Sequence, residues 1–333
     1  MWKTIAGYVN KFLQLFGIVL TKKRHIESLN EERMIHKHQI DVIRQQQGHL
    51  LTQIVQNQSR QFCCSTIAEA IVFSKDRPVQ LHALLTSYIN RVKSPVPLHI
   101  LYSASDPKYL EVYDEVKELF KQQPVEFRKE QNFRSDCIHL LENIRAAKVF
   151  FLVDDIVFIN SVDFADYCSV NPLETIPSLR LSPSVEYCYT QSTRQAIPPD
   201  LTRVGPDRFS WQWVNSCYDW GYVHSLDGNL FLTLEITAIA KAVLFNTPNS
   251  FEAALGQFAY ILKKRRGLCY EVSKIVNIPI NRVQTDYENR CGNVSLEELL
   301  NKWEKGFRID VDALAGFQNS SVHEEITFNF VPR

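Results

Sequence analysis

From Ser65 onward the chain alternates short apolar runs with amphipathic stretches, and one of those runs ends in two adjacent carboxylates. Ala70-Ile71-Val72-Phe73 is stopped by the polar Ser74-Lys75-Asp76-Arg77-Pro78, after which Leu81, Leu84, Leu85, Tyr88 and Ile89 recur at helical spacing. Leu98-His99-Ile100-Leu101-Tyr102 repeats the pattern, with Asp106 as N-cap and Pro107 as first residue of a helix running to about Gln122. Val125-Glu126-Phe127 is a third strand, followed by a loop through Phe133-Arg134-Ser135-Asp136 and a helix to about Ala147. Val149 to Val153 is the fourth. Strands that alternate with helices predict an α/β fold, a mostly parallel sheet covered on both faces, with its ligand site beyond the carboxyl ends of the strands.

That rule gives the stretch FFLVDDIVF, residues 150–158, its interest. Asp154 and Asp155 stand where an open α/β sheet places its ligands, and two neighbouring carboxylates repel unless a cation or hydrogen-bond donors offset them. A hard divalent ion such as Mg²⁺ or Mn²⁺, bridging to a diphosphate, is one solution. The other is that both side chains cap a turn. Neither G-x-G-x-x-G nor G-x-x-x-x-G-K-[ST] is present, so neither a dinucleotide fold nor a P-loop is signalled.

Lys plus Arg equals Asp plus Glu at 37 each, which gives no reason to expect a nucleic-acid partner. The eight cysteines lack zinc-ligand spacing, no stretch approaches the ~20 apolar residues of a membrane span, and a cytoplasmic chain is expected. Residues 1–62 read as a helical region ahead of a body at 65–333. Within residues 1–24, Trp2, Ile5, Val9, Phe12, Phe16 and Leu20 make an apolar face with the basic Lys22-Lys23-Arg24 behind it. This suits an amphipathic helix lying on a membrane surface at the inner face, or one packed on protein. In residues 26–57, Ile26, Leu29, Ile40, Ile43, Leu50 and Ile54 follow a 3–4 alternation, a coiled coil that would make a homo-oligomer or a solvated helix on the body.

From about Ser65 to the C-terminus the sequence resembles the GT-A nucleotide-sugar glycosyltransferases near family 2, in a less studied bacterial branch. The resemblance is carried by AIVFSKDRP, by FFLVDDIVF at the family's D-x-D element, and by the late histidine of SSVHEEITF. It implies a GT-A fold, a nucleoside-diphosphate sugar donor, a glycan or glycolipid acceptor, and a divalent metal, Mn²⁺ or Mg²⁺. Asp155 falls on the metal-binding carboxylate and Val153 replaces the first one, leaving Asp154 to hold the ribose or complete the coordination. His323 is implied as a further metal ligand. Ser74, Asp76 and Arg77 are implied as nucleotide contacts, with Arg134 and Asp136 in the same role; Arg134 and Asp136 can equally pair with each other.

An inverting transferase needs a carboxylate to take the proton of the acceptor hydroxyl. The resemblance puts Glu252 there, with Asp227 in reserve, although Asn249-Ser250-Phe251-Glu252 also spells a helix capping box. The stretch WQWVNSCYDWGYVHSLDGNLF reads as a β-hairpin whose aromatics stack on sugar rings or cover the sheet, and residues 230–245 read as a helix. Ser295 is expected to cap a helix. Glu325 to Phe330 reads as a final strand. Two rivals remain: a non-catalytic scaffold built on a degenerate GT-A domain, and a sugar nucleotidyltransferase, for which the Gly-rich basic loop after the first strand is missing.

Overall fold

In a computed structural model the described residues are 68–281, 283 and 290–333, with positions 26, 27, 29–31, 33–39, 42 and 48. The chain divides into two units, Met1–Gln53 and Ile54–Arg333. In the first, the described positions are helical, and Ile26, Leu29, Met34, Ile35 and Val42 are exposed. The helix expected at 1–24 and the seam residues Ile40, Ile43, Leu50 and Ile54 lie outside the described residues. No helix among the described residues is long and apolar enough to cross a membrane.

The second unit is α/β, as expected. Its first half runs β1 (Ala68–Lys75), α1 (Pro78–Arg91), β2 (Leu98–Ser103), α2 (Pro107–Leu119), β3 (Val125–Lys129), α3 (Phe133–Asn143) and β4 (Lys148–Val153). β1 pairs in parallel with β2 and β4, and β2 with β3. Local chemistry sets the helix starts. Asp106 accepts from the Lys108 N–H ahead of Pro107, and Asn132 accepts from the Ser135 N–H.

Both faces of β1 are buried, which is why its sequence reads as a continuous apolar run rather than an alternating one. Ala68, Ala70 and Val72 pack with Leu81 and Leu84 of α1 and Tyr113 and Val116 of α2. On the other face Phe73 meets Phe133 of α3 at 5.1 Å and Phe151 at 5.8 Å between ring centroids. Truncating one such core phenylalanine to alanine costs about 3–5 kcal/mol.

β5 (Ile156–Phe158) follows the acidic pair, and β6 (Thr175–Pro177) and β7 (Arg208–Gln212) begin a second sheet. The hairpin expected from Trp211 to Phe231 does not form. β8 (Leu230–Leu232) instead joins the central sheet antiparallel to β4, and β7 pairs with a later strand, β9 (Arg266–Tyr270). The tryptophans decide this. Trp211, Trp213 and Trp220 are all fully buried, with Trp211 edge-on to the other two at 4.7 and 5.0 Å. Of the two readings open for these rings, stacking on a sugar gives way to burial in the core, since burying three indoles outweighs a local turn preference. Gly267 of β9 allows the packing, because a Cβ there would lie 2.4 Å from the Trp211 ring.

Gly228, at φ +70°, turns the chain onto β4 with its N–H on the Phe151 carbonyl, 2.8 Å. With residues 230–232 taken into the sheet, the helix expected from 230 begins later, as α4 (Thr233–Ala242). α5 (Pro248–Gly256) and β10 (Ile275–Asn277) complete the site's frame. Beyond it lie α6 (Leu296–Glu304), capped by Ser295 as expected, β11 (Phe307–Ile309) and β12 (Phe330–Pro332). The final strand is thus shorter and later than the expected 325–330, because only Phe330–Pro332 finds a partner, in β11.

Candidate active site

The acidic pair stands at the carboxyl ends of the two central strands. Phe73 and Val153 are in register, so Asp154 emerges beside Ser74 and Lys75. Its N–H donates to the Phe73 carbonyl at 3.1 Å and its Oδ2 accepts from the Lys75 N–H at 3.1 Å. The cation that offsets the pair comes from the chain itself. Arg77 Nη1 donates to Asp154 Oδ1 at 3.1 Å and to Asp155 Oδ2 at 3.0 Å. Its Nε reaches Asn281 Oδ1 at 2.9 Å, and Nη2 donates to the Asn281 carbonyl.

Burial pushes the Asp154 carboxyl up to about 6 against the pull of Arg77, and the neighbouring Asp155 adds to the rise. The same two carboxylates keep Arg77 charged despite its burial. Tyr113 completes this corner: its hydroxyl accepts from the Arg77 N–H at 3.1 Å and shares a 2.6 Å hydrogen bond with Ser74 Oγ.

Across a cavity of about 790 Å³ stands the second group of acids. α5 opens with a capping box made by Thr247 and Ser250, not by the Asn249-to-Glu252 frame that its sequence equally spells. Thr247 can take that role because Pro248 is well placed at the first helical position, which moves Ser250 to the third. Glu252 is thereby released from capping and points into the cavity. Its two oxygens accept from the Tyr222 hydroxyl at 3.0 Å and the Leu226 N–H at 2.9 Å. Burial, and then Asp227, raise its pKa. Asp227 is also buried and pushed up to about 6, mainly by burial, with Arg180 opposing. His323 Nε2 lies 3.5 Å from Asp227 Oδ2, and burial lowers the histidine's pKa, so its ring is neutral.

Ser74, Arg77, Asp154, Asp155, Asp227, Glu252 and His323 thus share one cavity. Asp76, Arg134 and Asp136 do not line it. Asp76, at φ +57°, turns its carboxylate onto the Ser105 N–H and hydroxyl, 2.6 and 2.9 Å. Arg134 donates to the Val243 and Lys241 carbonyls, both at 3.0 Å, fixing the end of α4. Asp136 accepts from the Gln131 and Asn132 N–H groups, at 2.7 and 2.8 Å.

The sequence reading gave no role to Arg180, Tyr222 or Asn281 and took His224 only as part of the aromatic stretch 211–231; all four line the cavity. For Arg180 a signal existed: a single charge between two leucines in an otherwise uncharged segment, 175–184. Tyr222 and His224 lie in the stretch 211–231, whose signal was read as a hairpin.

A divalent ion of the hard type needs one or two carboxylates when substrate phosphates supply the remaining oxygens. Asp155 Oδ1 and His323 Nδ1 are buried and have no hydrogen-bond partner. No three His, Cys, Asp or Glu side chains among the described residues could hold a metal by themselves. The residues therefore fit an ion shared with a bound diphosphate and do not form a closed cage.

No family model matches the chain. It is 28% identical over 252 residues to the bifunctional glycosyltransferase pgtA of Dictyostelium discoideum, a match that covers 66% of this chain. The chain is similar in sequence to part of a glycosyltransferase. It spans about a third of that protein's length, 32%. Solved structures overlap only loosely: S. aureus TarS 1–349 (TM-score 0.39, 12% identity, 62% of this chain and 58% of that one) and its complex with UDP-GlcNAc (0.39, 11%, 62% and 56%). At that overlap no residue role transfers.

Proposed function

We propose that this chain moves a sugar from a nucleoside-diphosphate sugar to a hydroxyl group of a glycan or glycolipid acceptor. The observation that carries the reading is the meeting, in one cavity of a glycosyltransferase-related chain, of a carboxylate pair at the carboxyl end of β4 with a half-buried Glu252 that caps no helix. The donor's diphosphate lies toward Arg77, Asp154 and Asp155. A divalent ion held by Asp155, with Asp154 or His323 as a second ligand and the phosphates supplying the rest, would offset the charge on the leaving group.

Glu252 takes the proton of the acceptor hydroxyl while the acceptor oxygen bonds to the anomeric carbon and the carbon–oxygen bond to the diphosphate breaks. A single base facing the donor across the cavity corresponds to inversion. Burial suits Glu252 to this task, because a carboxylate with a raised pKa holds an abstracted proton better than an exposed one. Asp227, against His323, is the reserve base. Residues 1–24 would hold the enzyme at a membrane surface, and residues 26–57 would join copies of it.

The test is calorimetric titration with UDP-, GDP-, dTDP- and CMP-linked sugars, in Mn²⁺ and then in EDTA, on the native chain and Glu252→Gln. Metal-dependent binding of one nucleotide, preserved in the variant while sugar transfer is lost, is the expected result. No binding to any donor by a folded sample would favour the scaffold reading, to which Arg77's full engagement with the acidic pair lends itself. Normal turnover by Glu252→Gln would move the base elsewhere.

A further inference from the structure

We infer that Arg180 is a positioning residue for Glu252 and acts through Tyr222. The inference rests on Glu252 being the base. Arg180 is a 2% exposed side chain on the segment after β6. Its Nη2 donates to the Tyr222 carbonyl at 3.2 Å, and its guanidinium lies 5.7 Å from the centre of the Tyr222 ring. On its far side Nη1 stands 3.8 Å from Asp219 Oδ1. Asp219 is itself fixed by Gln195, which donates to its carboxylate at 2.9 Å and accepts from its N–H at 3.1 Å.

Tyr222 is therefore held at two points, its carbonyl and its ring face. The hydroxyl at the other end of the same side chain reaches Glu252 Oε2 at 3.0 Å, while His224 lies 4.0 Å from the ring and limits its rotation. Burial drives the tyrosine's pKa far up, and Glu252 adds to this, so the hydroxyl keeps its proton and always donates. The planar guanidinium fork suits this geometry, since it can bond a carbonyl, stack on a ring and face a carboxylate at once.

The groups that face Glu252 are Tyr222 and the Leu226 N–H, which stabilise its ionised form, Arg180, which does so through space, Asp227, which opposes it, and His323, which is neutral. Removing Arg180 or the Tyr222 hydroxyl leaves Asp227 and burial less opposed, so Glu252 should bind its proton more tightly in either variant.

The experiment is a ¹³C titration of the full chain labelled at glutamate carboxyl carbons, in EDTA, with the Glu252 resonance identified as the one absent from Glu252→Gln. Arg180→Met and Tyr222→Phe are each expected to raise the apparent pKa of Glu252 by about one unit. Arg180→Lys, which keeps a charge but loses the fork, should raise it less. Should Arg180→Met fail to fold, Arg180→Leu, which likewise removes both the charge and the bond to the Tyr222 carbonyl, takes its place with the same expected rise. A Glu252 titration that is unchanged on removal of the arginine charge overturns the inference, and so does an Arg180→Met rise that is undiminished when Tyr222→Phe is already present, because the arginine would then act on the carboxylate directly and not through the tyrosine. No donor or acceptor enters the measurement, so its outcome is independent of whether the chain transfers sugars.

Discussion

Asp227 should be held in the fold at a cost that its amide would not incur. The residue is 7% exposed, and its pKa is raised from the ordinary 3.8 to about 6, chiefly by burial. At 1.36 kcal/mol per pKa unit this corresponds to about 3 kcal/mol of destabilisation when the group is ionised, an upper bound because water in the open cavity relieves part of it. The folded state holds this proton more tightly than the unfolded chain. The associated stability is therefore present in full below about pH 4 and is lost as the pH rises through about 6. Asp227→Asn removes that titration while keeping the side chain's shape and its place between Asn277 and His323. Differential scanning calorimetry in EDTA should then show the variant melting higher at pH 7.5, by up to roughly 6 °C for a unit of this size. The gap should close as the pH falls toward 4, where the native carboxyl is also neutral. A variant that melts lower than the native chain at pH 7.5, or a difference that does not change with pH, would refute the reasoning.

Asp155→Ala should leave the far-ultraviolet circular dichroism spectrum unchanged and weaken Mn²⁺-dependent donor binding at least about tenfold; calorimetric affinity equal to that of the native chain would remove Asp155 from the metal site. Gly267→Ala places a methyl group 2.4 Å from the Trp211 ring, and urea unfolding should show a loss of about 1–3 kcal/mol or more, since both the indole and the β7–β9 pairing must shift. A chain lacking residues 1–60 should keep a cooperative melt yet no longer sediment with anionic vesicles or self-associate in analytical ultracentrifugation. Aggregation on truncation would instead mean that this region covers apolar surface of the body.

The first half of the fold is legible because its determinants are local. β1 and β4 are buried on both faces and carry unbroken apolar runs at residues 70–73 and 149–153, and Asp106, Pro107 and Ser295 announce their helices by residue type. From Trp211 onward legibility fails, because the outcome depends on partners far away in sequence. β7 pairs with β9 more than fifty residues later, and the three tryptophans face one another, not a hairpin partner. At Glu252 two capping frames overlap, and the choice of Thr247 over Asn249 turned on a proline that either frame tolerates. The acidic pair illustrates the same limit. Its position at the strand end followed from the pattern, but the guanidinium that neutralises it comes from a loop 77 residues earlier, and no local rule links the two.

Both walls of the cavity meet one electrostatic problem in the same way. Each gathers carboxylates that are largely shielded from water, and each sets one buried arginine among them, Arg77 beside Asp154 and Asp155, Arg180 beside Asp219. Arginine suits both places because it stays charged when buried, whereas a lysine would tend to lose its proton there, and because its fork can join groups that do not touch. The two are used differently. Arg77 donates through all three of its nitrogens, to both acids and to Asn281, so the acidic pair is tied to the segment that follows β10. Arg180 leaves its Nε without a partner and faces its carboxylate at 3.8 Å, outside hydrogen-bond distance. Its burial is incompletely compensated, and the firmest bond that it does make is to the residue that holds Glu252. A fold selected for stability alone would have little reason to keep such a group. Holding Glu252 in register across the cavity from the acidic pair supplies one.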